Sequence, residues 1–162
     1  MVATVIHEGT HQLMFNTGMQ TRFSDTPLWI NEGLAMYFET PDLKSSRGWG
    51  IIGNVNPMRL HHFRANLASR APDSLVSMLS SDKLFQDPDQ KLLAYSESWA
   101  LCYFLLNKHS KPFVEYLKHM SKKEPQKFDS PQQRLDDFKK FFGEDLNALD
   151  REFIQYVRKL SN

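Results

Sequence analysis

Leu28-Trp29-Ile30-Asn31-Glu32-Gly33-Leu34-Ala35-Met36-Tyr37-Phe38-Glu39 is apolar on nearly every face of a helix, yet it carries a carboxylate near its middle. A helix of that kind has to be enclosed by other elements. A buried carboxylate in turn needs a cationic partner, hydrogen-bond donors or a metal ion. The rest of the chain offers helices as the enclosure. Apolar residues recur at helical spacing over 2–16, with Asn16-Thr17-Gly18 as the closing signal, and again from Asn56-Pro57 through Leu60, Phe63 and Leu67. Asp87-Pro88-Asp89 introduces a helix over 90–107, with Tyr95, Trp99, Cys102, Tyr103 and Leu106 along one stripe. Ser110-Lys111-Pro112 opens the next, with Phe113, Val114, Tyr116, Leu117 and Met120 inward. Ser130-Pro131-Gln132-Gln133 is a capping-box start, closed by Gly143, and 145–160 reads as a final docking helix. Thr26 is expected to cap the Leu28 helix with Pro27 at its first position. Pro72 to Leu79 reads as a short amphipathic turn or helix, Ser80-Ser81-Asp82 as a polar connection, and His61-His62-Arg64 as facing largely outward. The fold class is mainly α, with little or no β-sheet, in one domain over 1–162 that is large enough to bury a core.

Charge and cysteine content narrow the chemistry. Lys+Arg 20 against Asp+Glu 19 leaves a formal net charge of +1, so no long-range field selects nucleic acid or an anionic membrane. The run Ser121-Lys122-Lys123-Glu124-Pro125 is a solvated loop. No apolar run approaches the roughly 18–20 residues that span a bilayer, and Met1 to Ile6 lacks the features of a signal peptide. A parent protein with a signal sequence would place the domain outside the cytoplasm; compartment and oligomeric state are not written in the residues. The single Cys102 excludes an internal disulfide and a cysteine-rich metal cluster, and its place on an apolar stripe makes it a small core residue. Any zinc must therefore be held by histidine and carboxylate.

Val5-Ile6-His7-Glu8-Gly9-Thr10-His11 supplies two histidines four residues apart. On a helix such residues face the same way with Cβ atoms about 5–6 Å apart, which lets both imidazoles reach one zinc at about 2.0–2.1 Å. Glu8 is turned by roughly 100° from His7, beside the ion, where its carboxylate can activate a water. Alone, His-Glu-x-x-His also arises by chance, and Glu32 alone could be a carboxylate paired with an arginine. Together they define a candidate site of His7, His11 and Glu32 as metal ligands with Glu8 beside them. His61 and His62, being adjacent, point in different directions and make a poor metal pair. Ser45-Ser46-Arg47-Gly48-Trp49-Gly50 reads as a loop that either lines a cleft or is plugged to the core by Trp49.

His7-Glu8-x-x-His11 followed about twenty residues later by Trp29-Ile30-Asn31-Glu32-Gly33-x-Ala35 resembles the gluzincin metallopeptidases, the M1 aminopeptidases among them. The wording His7-Glu8-Gly9-Thr10-His11-Gln12-Leu13 with Phe15-Asn16-Thr17-Gly18 resembles the DUF1570 group more closely still. The resemblance implies Zn2+ held by His7, His11 and Glu32, with Glu8 as general base for a metal-bound water. It also implies a tyrosine on a later helix, matched here by Tyr95, as donor to the oxyanion; Tyr95 reads equally well as a core residue. The implied activity is zinc-dependent hydrolysis of a peptide or protein substrate. The alternative is a catalytically silent zinc-binding helical module that binds peptides or protein partners, and a third reading is a helical interaction domain with a fortuitous motif. Gluzincin catalytic domains carry a β-sheet before the metal helix. The resemblance therefore casts 1–162 as the zincin-like helical, C-terminal portion of such a domain, lacking that sheet, with catalysis by this chain alone resting on a cleft built without it.

Overall fold

The computed structural model describes residues 2–40 and 52–161. Among them lie α1 (Val2–Asn16), α2 (Leu28–Phe38), α3 (Pro57–Ala65), α4 (Ser74–Ser80), α5 (Lys83–Gln86), α6 (Lys91–Lys108), α7 (Ser110–Met120), α8 (Pro131–Phe142) and α9 (Leu146–Lys159), with no strand among the described residues. The fold is mainly α, as the periodicity implies. The Ser45–Gly50 loop and its Trp49 lie outside the described residues.

α6 is the central rod: α2, α3, α5, α7 and α9 all pack on it, and α1 lies on the outer side of α2. Gly33 lets α2 approach α6 this closely. A Cβ at that position would stand 2.5 Å from Cys102 Sγ and 2.6 Å from the Ser98 carbonyl oxygen. The thiol could shift; the backbone oxygen could not. Gly33→Ala is thus expected to lower stability by about 1–3 kcal/mol through overpacking, read as a fall in the urea midpoint. At the start of α2 the fully buried Trp29 ring stacks with Phe113 and Tyr116 at 6.2 Å each and meets Phe138 edge-on at 6.0 Å. The C-terminal helices α7 and α8 therefore seat the helix that carries Glu32.

The first turn of α2 is tied down by a residue distant in sequence. The helix starts at Leu28, one residue later than Thr26-Pro27 suggested, and Pro27 at the N-cap has no side-chain acceptor to offer. The Asp82 Oδ1 accepts the orphan Leu28 N–H instead, at 3.0 Å. Asp82 is itself held by Arg134 Nη2 at 3.0 Å, and the same guanidinium bonds Asp25 Oδ1 at 2.6 Å. Burial alone would depress the Arg134 pKa, but the hydrogen bonds it donates to these two carboxylates outweigh that and raise it. A second buried network joins Arg70 to Glu97 and Asp150 at 2.7 Å each, with Ser74 Oγ donating to Glu97 at 2.8 Å.

Several surface expectations are corrected. Arg64 does not face outward: its guanidinium bonds the carbonyls of Val157, Arg158 and Leu160, satisfying the orphan acceptors at the end of α9. His62 is half-buried, with Nδ1 3.2 Å from Ser96 Oγ, while His61 is exposed. Val114 is exposed where an inward position was expected, because α7 buries only the Phe113, Tyr116 and Met120 face. The connection after Ser80 contains the short helix α5, which buries Phe85. Cys102 is fully buried in the core, and burial pushes its thiol pKa far up, which removes it from nucleophilic chemistry.

Candidate metal centre

His7 and His11 occupy consecutive turns of α1 and meet Glu32 from the facing side of α2. Their rings lie 5.0 Å apart, edge to face. His7 Nε2 is 3.1 Å from Glu32 Oε2, and His11 Nε2 is 3.7 Å from Glu32 Oε1. One donor atom from each of the three residues lies within 4.8 Å of the others. Donor atoms around a tetrahedral zinc with bonds of about 2.0–2.1 Å are about 3.3–3.4 Å apart; here each histidine lies nearest a different Glu32 oxygen, so gathering one donor from each residue around an ion calls for small side-chain adjustments. The side chains are 16% to 21% exposed, recessed but open to solvent. Two imidazoles and one carboxylate with no cysteine is a donor set suited to zinc, and three protein ligands leave a coordination position free.

Behind His7 stands a residue that motif reasoning passed over. His7 Nδ1 is 2.9 Å from Glu39 Oε2, and Asn56 Nδ2 donates to the other Glu39 oxygen at 3.3 Å. Asn56 is buried at the N-cap of α3, where its own oxygen accepts from the Arg59 N–H. Glu39 is seven residues after Glu32, two helical turns along the same face, and that spacing is the signal by which it could have been found. Carboxylate oxygens flank both ring nitrogens of His7, an arrangement that a doubly protonated imidazole satisfies by donating to each. Hydrogen bonds to Glu32 first, then to Glu39, raise the His7 pKa to about 9 against the opposing effect of burial. A metal ion needs the Nε2 lone pair and would displace that proton, leaving the Nδ1–H on Glu39, the usual support of a ligating histidine. Glu39→Gln keeps an acceptor but loses the charge. It is expected to weaken zinc affinity by about 10–100-fold in a competition titration against a chelator.

The other two expected site residues are placed differently. Glu8 is exposed on α1 and, among the described residues, makes no hydrogen bond or ion pair. Tyr95, on α6, is half-buried, with its ring edge-on to Phe85 at 5.4 Å, and its hydroxyl is bonded to no member of the triad. Burial raises the phenol pKa, the charge of Glu32 adds to that, and Arg59 opposes it. Tyr95 is thus within electrostatic reach of Glu32 and has its hydroxyl uncommitted among the described residues.

The chain is a mainly helical protein with a His-His-Glu cluster that could hold a metal ion. The sequence model of a family described as "Protein of unknown function (DUF1570)" matches residues 1–127, and the chain belongs to that family. No match is found among curated proteins or among solved structures. No helix of the described residues is long and apolar enough to cross a membrane.

Proposed function

We propose that this protein is a zinc-dependent peptidase of gluzincin type, hydrolysing peptide bonds in a peptide or protein substrate. The observation that carries the reading is the convergence of His7, His11 and Glu32 from two helices, with Glu39 holding the far side of His7. A bound zinc supplies Lewis acidity, acidifying water towards a pKa of about 7 and polarising a carbonyl. The remaining work falls to the chain. His7, His11 and Glu32 hold the ion, and the packing of α2 on α6 fixes where Glu32 stands. Glu8, exposed and free of competing partners among the described residues, takes a proton from water and returns it to the leaving amine. Tyr95 offers an uncommitted hydroxyl to the oxygen on which negative charge develops.

The test is digestion of a diverse peptide library by zinc-loaded protein, with and without chelator. Expected is cleavage that stops with chelator and returns with added zinc. Zinc bound stoichiometrically with no peptide cleaved would replace this reading by a silent zinc-binding module.

A further inference from the structure

Among the described residues, Arg59 is a half-buried arginine whose guanidinium has no ion-pair or hydrogen-bond partner, only the face of the Tyr95 ring. Arg70 and Arg134 each hold two carboxylates, and Arg64 holds a helix end. The Arg59 Nε, in contrast, is buried with no hydrogen-bond partner. Burying a guanidinium nitrogen without an acceptor is costly, and such a group calls for an explanation. Arg59 lies at one wall of a surface depression of about 320 Å³ whose other walls are Pro88, Lys91, Leu92 and Tyr95. The Arg59 guanidinium and the Lys91 ammonium each stand 5.9 Å from the centre of the Tyr95 ring, and neither is ion-paired among the described residues. The lining thus contains two cations and no carboxylate. Lys91 also opens α6, an 18-residue helix whose positive end adds to the field there.

The depression is linked to the His7, His11 and Glu32 cluster in two ways. Tyr95 is shared: its ring forms one wall, and its hydroxyl is under the influence of Glu32 as well as Arg59. Arg59 is in addition one turn from Asn56, whose side chain accepts the Arg59 N–H and donates to the Glu39 that holds His7. A peptide with a carbonyl at the zinc and its oxygen towards Tyr95 would carry a neighbouring group past the tyrosine ring to these two cations. A guanidinium fork matches a carboxylate, and Arg59 lines the depression with no acidic partner.

We propose that Arg59 and Lys91 form a carboxylate-binding subsite beside the metal centre, which selects peptides bearing an acidic side chain or a free C-terminal carboxylate next to the bond presented to the zinc. This rests on the peptidase reading above and adds a substrate class to it. Binding is measured on zinc-loaded Glu8→Gln protein by fluorescence anisotropy, with one labelled peptide made in three forms: glutamate with an amidated C-terminus, glutamine with a free C-terminus, and glutamine with an amidated C-terminus. Expected is at least about tenfold tighter binding of one or both charged forms, the better arm naming the source of the carboxylate. Arg59→Gln should abolish that preference and Lys91→Gln should reduce it, with zinc stoichiometry and circular dichroism unchanged in both. Arg59→Lys, which keeps the charge and loses the fork, should restore only part of it. Equal binding of the three peptides, a preference that survives Arg59→Gln, or no binding of any form overturns the subsite. Failure of the peptidase reading registers elsewhere, as absent zinc or as no cleavage by the wild-type protein.

Discussion

Glu8→Gln is expected to bind zinc as tightly as the wild type and to lose about 10²–10⁴-fold in peptide hydrolysis, the contribution of a positioned general base. The separation of the two effects follows from the geometry. The groups that could hold the metal are His7, His11 and Glu32, whereas Glu8 is exposed on α1, outside that cluster and without partners among the described residues. Replacing its carboxylate by an amide of the same shape removes a proton acceptor and leaves packing alone. A variant in which zinc affinity falls along with activity would make Glu8 a ligand or a structural group; one with full activity would remove it from the chemistry.

Arg134→Ala is expected to destabilise the fold by about 3–5 kcal/mol, because it leaves carboxylates buried without their cation. Asp25 is 7% exposed and, among the described residues, receives besides Arg134 only the Asp129 N–H at 2.9 Å. Asp82 would lose the guanidinium that aims it at the Leu28 N–H. Asp25→Asn alone should cost less, and the double variant should cost less than the sum, since the two residues are in direct contact. Urea denaturation of the three variants checks this. Because Asp82 fixes the first turn of α2, a folded Arg134→Ala protein should also bind zinc more weakly although no ligand is altered. Additive energies would show that the pair is not coupled.

Periodicity and punctuation made most helices legible, since local signals set them. Ser130 caps α8 with the expected box, and Gly143 closes it at a φ of 89°. The His7, His11 and Glu32 cluster was legible for a similar reason: two of its members share one helix and the third is an anomaly on an apolar one. Glu39 was not, because its role depends on how α1 crosses α2. Nor was the Asp25–Arg134–Asp82 cluster, whose members are brought together only by the tertiary fold. On α6 the aromatic stripe indicated one buried face, yet Ser96, Glu97 and Ser98 are also buried, because helices surround that rod on several sides. On α1 the opposite holds: Val5 and Leu13 lie within the apolar periodicity over 2–16 but are 66% and 62% exposed, since among the described residues α1 packs chiefly on α2.

Zinc stoichiometry, measured by elemental analysis on wild-type protein and on His11→Ala and Glu32→Ala, tests the centre most directly. About one zinc per chain is expected in the wild type, and each variant, with its helical circular dichroism retained, should fail to keep the ion through gel filtration. Zinc retained equally by all three proteins, or by none, would contradict a metal centre built from His7, His11 and Glu32.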